Sequence, residues 1–256
     1  MQNNTNLALF VGHSLVKLHE IDSTNTYLKN LLSNSKPLIE GTVIMADHQY
    51  AGRGQNQNVW ESEAGKNLTI SIYLKPSFLA VNEQFDLNKA VSLGIIDCLN
   101  NVLGENCHIK WPNDIYFHDK KIGGILIENV TKGYNLKESV IGIGINVNQI
   151  NFPNQLGRVS SISKVLHKDY KLEKLLAQIC KNIESRYLQL KAGKKELLAH
   201  DYKNNLFRLN EQHYFEIEND VVLGTIKGVT TTGKLLLQVG KELKELDLKE
   251  VKFIFD

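Results

Sequence analysis

Two neighbouring stretches of the chain combine charged and amide side chains with glycine and proline. Residues 110–114 read Lys-Trp-Pro-Asn-Asp, and residues 120–128 contain two lysines, the pair Gly123-Gly124 and an apolar run. Pro112 has no N–H and disfavours helix in the residue before it, so a strand should end here and the Asn-Asp pair should form a turn. Lys121 would begin the next strand beside glycines that let a ligand approach the backbone. The pattern predicts a hairpin that presents an amide, a carboxylate and a lysine; a solvated hairpin with a glycine bulge is the alternative.

Three further motifs carry groups suited to binding. Residues 22–25, Asp-Ser-Thr-Asn, offer neutral donors and acceptors, although they also fit the N-cap of a helix. Residues 49–55 combine glycines with Arg53, whose forked donor suits carboxylate and phosphate oxygens; a flexible turn is the alternative. Residues 142–148, Gly-Ile-Gly-Ile-Asn-Val-Asn, lack the third glycine and the following helix of a dinucleotide fingerprint, so we reject a Rossmann fold. They indicate a strand of small residues that passes under a ligand or another backbone.

In this order and spacing, the four motifs resemble the catalytic core of biotin protein ligases (biotin–acetyl-CoA-carboxylase ligases). The match runs from about Lys17 to Val165 and continues more weakly to the C-terminus. The resemblance implies an α+β fold, with a mixed β-sheet packed by helices as in class II aminoacyl-tRNA synthetases, and a small C-terminal SH3-like β-barrel. It indicates the monofunctional type, since residues 1–16 are too few for a DNA-binding helix-turn-helix.

The resemblance also implies an activity. An ATP-dependent ligase of this kind forms biotinyl-5′-AMP with Mg²⁺ present. It then transfers biotin to a lysine on the biotin carboxyl carrier domain of acetyl-CoA carboxylase or a related carboxylase. One alternative is a lipoate–protein ligase or octanoyltransferase, which shares the core; the Lys-Trp-Pro-Asn-Asp motif argues against it. The other is a non-catalytic biotin-responsive regulator, against which the short lead-in argues.

Residue roles follow from the resemblance. Lys121 and Arg53 would be the catalytic cations, because the biotin carboxylate and the α-phosphate of ATP repel each other and charge develops between them. Lys120, the neighbouring lysine, is the alternative candidate for the role given to Lys121. Biotin-binding residues would be Ser23, Thr24, Asn25, Gln49, Gly52, Arg53, Gly54, Gln55, Lys121 and Gly124. Nucleotide-binding residues would be Arg53, Trp60, Asn113, Lys121 and Asn146, with no metal ligands assigned.

Two positions, one in the glycine-rich segment and one just after it, bear on nucleotide binding. Trp60 would stack on adenine, and a core tryptophan is the alternative. Gln55 departs from the family pattern, in which many members have a second arginine. It keeps hydrogen bonding but loses a full charge near the phosphate, which puts the retention of the intermediate in question.

Periodicity indicates the elements that position these groups. We predict strands at 15–21, 42–46, 67–74 and 139–147. We predict helices near 25–32 (capped by Ser23 or Thr24), at 87–103 packed by one face, at 172–190, and after Gly193. Short strands at 221–229, 233–239 and 251–255 predict an antiparallel barrel, and residues 241–250 a solvated turn. We therefore expect a catalytic domain, 1–209, and an SH3-like domain, 210–256.

Composition narrows the class of protein. The formal net charge of +2 over 256 residues is too small for a dedicated nucleic-acid surface, so we expect no specific DNA partner. No apolar run approaches the roughly 20 residues that span a bilayer, and Met1–Asn4 does not resemble a signal peptide, so we expect no membrane partner. Three cysteines without a C-x-x-C pair indicate free thiols in the cytoplasm. The sequence is compatible with a homodimer.

Overall fold

The computed structural model describes residues 9–34, 37–55, 58–153 and 156–255. Residues 1–8, which include half of the predicted lead-in and the Met1–Asn4 stretch, lie outside the described residues. Seven strands form the first sheet: β1 (Leu15–Ile21), β2 (Val43–Gln49), β3 (Leu68–Leu74), β4 (Cys107–Lys110), β5 (Asp114–Phe117), β6 (Lys120–Lys132) and β7 (Asn135–Ile145). The α-helices are α1 (Thr24–Ser33), α2 (Gln84–Leu103), α3 (Ile162–Leu166), α4 (Leu172–Lys191) and α5 (Lys195–Asn204).

The first sheet is mixed and has helices on both faces. Its order is β1-β2-β3-β7-β6-β5-β4; β1 and β2 run parallel, and the other neighbouring pairs run antiparallel. Alternation along β3 turns Ile70 and Ile72 to the main core, which α2 and α4 cover. The opposite face presents Tyr73 to a smaller core under α1. The predicted α+β class is confirmed.

The prediction that α2 packs by one face is wrong. Every residue from Lys89 to Ile96 is buried, because α4 and α5 cover the side of the helix that faces away from the sheet. At Gly94 a Cβ would lie 2.6 Å from the Cα of Ile183, so the glycine is what allows α4 to approach this closely.

The predicted hairpin around the Lys-Trp-Pro-Asn-Asp motif is a three-stranded meander. Asp114 does not lie in a turn but begins β5, a short strand between β4 and β6. The turn comprises residues 111–113 instead. Lys121 lies in β6, one residue after the strand begins, as its position next to the glycine pair suggested.

A second, antiparallel sheet of five strands follows α5. Its order is β11-β10-β9-β8-β12, with strands β8 (Gln212–Ile217), β9 (Asp220–Val229), β10 (Leu235–Val239), β11 (Glu242–Leu246) and β12 (Val251–Phe253). The sheet agrees with the predicted SH3-like unit. The solvated turn predicted at 241–250 is wrong, because β11 occupies half of it. Charged residues are tolerated there because β11 is an edge strand. The domain boundary at residue 210 stays a prediction.

The three cysteines, Cys98, Cys107 and Cys180, are free and buried, and burial raises the pKa of each thiol to about 12. They are packing residues rather than reactive thiols. Among the described residues, no helix is both long and apolar enough to cross a membrane.

Candidate functional site

A cavity of about 270 Å³ opens on the face of the first sheet that carries α1. It brings together residues from all four motifs, which are spread along the sequence from Ser23 to Gly144. From the predicted set it is lined by Ser23, Thr24, Asn25, Gln49, Arg53, Gly54, Gln55, Trp60, Asn113, Lys121 and Gly124.

The floor of the cavity is made by two glycines of β7. A Cβ on Gly144 would lie 2.3 Å from the indole of Trp60, and one on Gly142 would lie 2.6 Å from Asn25 Oδ1. Only glycine therefore lets Trp60 and Asn25 approach the strand. Trp60 Nε1 is buried and has no hydrogen-bond partner, so a donor is left unused beside the cavity.

One end of the cavity is neutral and densely hydrogen-bonded. Thr24 donates to Gln49 Oε1 through its backbone N–H at 2.8 Å and its hydroxyl at 3.0 Å. Ser71, on β3, contacts both Thr24 and Asn25 from below. Neither predicted capping side chain caps α1: Ser23 holds the N-cap position without a side-chain bond, and the amide oxygen of Gln49 takes the first free N–H instead. A side chain from a neighbouring strand thus replaces the local cap.

The other end carries the two predicted catalytic cations, each held by a carboxylate. Arg53 Nη2 lies 2.5 Å from Glu128 Oε2, and Lys121 Nζ lies 2.6 Å from Asp114 Oδ1. Glu128 also accepts from Lys29 at 2.7 Å and from the Asn25 amide at 2.8 Å. Burial alone would raise the pKa of Glu128, but the bonds from Lys29 and Asn25 and the charge of Arg53 outweigh it and hold that pKa below its usual value.

A third cation, Lys110, lines the cavity although the sequence argument gave it no role. Its Nζ lies 4.0 Å from Asp114 Oδ2 and 4.6 Å from the ring centre of Phe253 in β12. Burial lowers the pKa of Lys110, and the charge of Asp114 partly opposes that shift. The sequence signal for Lys110 was its place as the first residue of the Lys-Trp-Pro-Asn-Asp motif.

The turn that presents these groups is supported from behind by the second sheet and α5. The indole of Trp111 donates to the carbonyl of Gly233 at 2.8 Å, and Tyr202 donates to the carbonyl of Pro112 at 3.1 Å. Asn113 uses its amide N–H to reach the Ile125 carbonyl, so its side chain ties the turn to β6. Leu248, in the turn between β11 and β12, also lines the cavity.

Two predicted residues lie outside the lining. Gly52 is buried behind Trp60, where a Cβ would lie 2.3 Å from the Trp60 carbonyl oxygen, and it accepts the Trp60 N–H at 3.0 Å. Asn146 is buried below the floor, and its side-chain amide donates to the Ser160 carbonyl at 3.1 Å. Both residues therefore support the segments that line the cavity and do not face it themselves.

Comparison with known proteins identifies the family. Residues 18–146 match the model of the Biotin/lipoate A/B protein ligase family. The chain belongs to this family. It is 27% identical to the bifunctional ligase/repressor BirA of Bacillus subtilis over 239 residues, which is 92% of this chain and 73% of BirA. It is 25% identical to the biotin–[acetyl-CoA-carboxylase] ligase of Mycobacterium tuberculosis over 79% of this chain and 75% of that protein.

Solved structures of the family share the fold. The biotin protein ligase of Aquifex aeolicus in complex with biotin and ATP superposes with a TM-score of 0.79 at 26% identity, covering 94% of this chain and all of that one. A point mutant of the same protein, in complex with biotin, gives 0.78 at 26% identity over 95% of this chain and 99% of that one. The family predicted from the four motifs is therefore confirmed, including the C-terminal sheet that these structures also cover.

For a member of the biotin/lipoate ligase family, the geometry of this cavity suggests a division of chemistry. Neutral hydroxyls and amides at one end suit an uncharged polar ring. At the other end, the cations Arg53, Lys110 and Lys121, with the Trp60 ring beside Lys121, suit anions joined to a base. The two parts adjoin, because Asn25 and Arg53 both donate to Glu128 Oε2.

Proposed function

We propose that this protein is a biotin–protein ligase. It joins biotin to ATP, giving biotinyl-5′-AMP and pyrophosphate. It then transfers biotin to the ε-amine of a carrier lysine and releases AMP. The observation that carries the proposal is a single cavity that the neutral side chains of Thr24, Gln49 and Asn25 line together with the cations Arg53 and Lys121. Support comes from the Aquifex aeolicus relative, whose structure holds biotin and ATP.

The neutral end would receive the ureido ring of biotin. A cyclic urea has N–H donors and a carbonyl acceptor but no charge, so it needs partners of both kinds without an ionic group. Ser23, Thr24 and Gln49 supply them. A lipoyl ring has neither N–H donors nor a carbonyl acceptor to bond to these groups, which disfavours the lipoate alternative.

The charged end would receive the carboxylate of biotin and the α-phosphate of ATP. Lys121 and Arg53 counter the repulsion of the two anions and the charge that develops as the mixed anhydride forms. Each must exchange a protein carboxylate, Asp114 or Glu128, for a ligand oxygen. Trp60, whose ring centre lies 5.7 Å from Lys121 Nζ, would stack on adenine, with Asn113 and Asn146 holding the walls around it.

Mg²⁺ would act here as an additional positive charge on the phosphates. Among the described residues no group of three or more His, Cys, Asp or Glu could hold a metal by itself. That agrees with an ion that keeps its waters and is bound mainly by phosphate, with Asp114 as the lining carboxylate within reach.

The acceptor in this proposal is the biotin carboxyl carrier domain of acetyl-CoA carboxylase or a related carboxylase. The name of the Mycobacterium tuberculosis relative supports that choice. We place the reaction in the cytoplasm, which the three free thiols support.

One assay tests the proposal and separates its rivals. The protein is incubated with ATP, Mg²⁺ and labelled biotin or lipoate, with and without an apo carrier domain. We expect biotin-dependent pyrophosphate release and label on the carrier. Label from lipoate instead would favour a lipoate ligase, and biotin binding without pyrophosphate release would favour a non-catalytic regulator.

A further inference from the structure

Ser71 lies directly beneath the neutral end of the cavity but does not line it. It is the fourth residue of β3, fully buried, and its neighbours in the strand are isoleucines. Its Oγ lies 2.8 Å from Thr24 Oγ1 and 2.5 Å from Asn25 Oδ1. A hydroxyl in so apolar a strand is costly unless it is bonded, and here both of its contacts are residues of the cavity wall.

The orientation of both neighbouring amides is fixed. Gln49 turns its oxygen to Thr24, because that oxygen accepts the Thr24 backbone N–H. Asn25 turns its nitrogen away from Ser71, because it donates to the Leu126 carbonyl and to Glu128. The amide atoms that face the two hydroxyls are therefore oxygens, which only accept.

The hydroxyl protons can then be counted. Three oxygen–oxygen contacts connect Gln49 to Thr24, Thr24 to Ser71 and Ser71 to Asn25. Two hydroxyls supply two protons for these three contacts. To fill two of the three contacts, both hydroxyl protons must lie within this chain of oxygens. The Thr24 proton must then point at Gln49 or at Ser71. Toward the cavity, Thr24 Oγ1 therefore presents lone pairs only.

We infer that Ser71 is a specificity-determining positioning residue. By engaging Thr24 from below, it keeps the Thr24 hydroxyl an acceptor, so the site selects a ligand ring N–H over a ring oxygen at that point. The inference rests on the proposed function, since it takes the ligand to be a cyclic urea. Without Ser71, only Gln49 would hold the Thr24 proton, and a ligand oxygen could compete for it.

The test is a ratio of affinities measured by calorimetry on the full chain without ATP. The probes are biotin and its two cyclic carbamates, in which oxygen replaces one or the other ring N–H. The wild type should reject one carbamate strongly. Ser71→Ala should reduce the preference for biotin over that carbamate by roughly five- to tenfold, the equivalent of one neutral hydrogen bond, and leave the other ratio unchanged.

A ratio is used because removing a buried hydroxyl will also lower stability. Ser139→Ala is the matched control: Ser139 is equally buried in β7, and its hydroxyl donates to Asn129 at 2.7 Å, away from the cavity. Its ratios should match those of the wild type. Ser71→Cys, which keeps a weak donor of similar size, should give an intermediate ratio and replaces the alanine variant if that variant fails to fold.

A double-mutant cycle shows whether Ser71 acts through Thr24. In a Thr24→Val background, Ser71→Ala should leave the ratio unchanged. A ratio unaltered by Ser71→Ala in the wild-type background, or altered in the valine background, would overturn the inference while biotin binding upholds the proposed function. A wild-type protein that binds no biotin would overturn both.

Discussion

The two ends of the cavity are built differently. At the neutral end, Thr24, Asn25 and Ser71 are at most 3% exposed, and hydrogen bonds connect them to one another or to Gln49. At the charged end, the side chains of Arg53 and Lys121 are 40% and 31% exposed. Their partners are carboxylates, which a ligand carboxylate or phosphate can replace.

The difference indicates when each end is formed. Buried, mutually bonded groups are in place before a ligand arrives, which lowers the entropy cost of binding. Partly exposed ion pairs contribute only about 0–1 kcal/mol, so exchanging one for a ligand oxygen costs little. We therefore expect the neutral end to determine which ligand binds and the charged end to determine whether it reacts.

The strongest test of this division is Lys121→Ala. An ammonium here matters most when charge develops at the α-phosphate, so adenylate formation should fall by about 10²–10³. Biotin affinity in the absence of ATP should change far less. Biotin-dependent pyrophosphate release and a biotin titration measure the two effects. Near-normal turnover would remove Lys121 from the mechanism.

The stacking role of Trp60 can be tested by substituting Gly144, the glycine beneath its ring. Gly144→Ala would place a methyl 2.3 Å from the indole and displace the ring, whereas on Gly124 a Cβ meets the ring at an ordinary 3.4 Å. If Trp60 stacks on adenine, Gly144→Ala should raise the KM for ATP roughly 5- to 150-fold, the loss of one stacking contact. Gly124→Ala should raise it much less. Equal effects would mean that Trp60 is a packing residue and not the adenine platform.

Gln55 offers a gain-of-function test at the charged end. It lines the cavity with Arg53, whereas the cationic residues Lys66 and Arg158 do not. An arginine would bind the anionic intermediate through a charge-assisted bond in place of a neutral one. Gln55→Arg should slow the release of preformed biotinyl-5′-AMP by about tenfold, measured by trapping the free adenylate. Equal release rates would mean that residue 55 does not contact the intermediate.

Much of the fold followed from periodicity because the patterns there are long. Alternation placed β1 at 15–21, where the structure has it, and helical spacing predicted α4 to within one residue. Elements with little pattern were missed. β5 has four residues, too few for alternation to be seen, and β11 is mostly charged because it lies at a sheet edge.

The sequence predicted which residues form the site, but it did not predict their hydrogen-bond and ion-pair partners. The motifs contained most of the predicted residues that line the cavity, because each motif is local, although Gly52 and Asn146 lie outside the lining. The partners of those residues lie far away in sequence: Ser71 is 47 positions from Thr24, and Glu128 is 75 positions from Arg53. A lone serine between isoleucines was a signal for Ser71, yet only the fold shows what it contacts.

Glu128 connects the two ends, since it accepts a hydrogen bond from Asn25 at one end and forms an ion pair with Arg53 at the other. Of the substitutions considered, its replacement should have the smallest effect. Its pKa is held below the usual value in the folded protein, so its charge stabilises the fold at neutral pH. That contribution is lost as the pH falls from the unfolded pKa, near 4.5, through the lower folded one. Glu128→Gln should therefore cost about 1 kcal/mol at pH 7. Urea unfolding at several pH values should show the gap between wild type and variant narrowing below pH ~4.5. Glu216→Gln, which removes an ion pair with Lys252 in the second sheet, controls for the loss of a carboxylate elsewhere. A gap that stays constant with pH would mean that Glu128 acts through its shape and hydrogen bonds, and that the two ends are not joined by its charge.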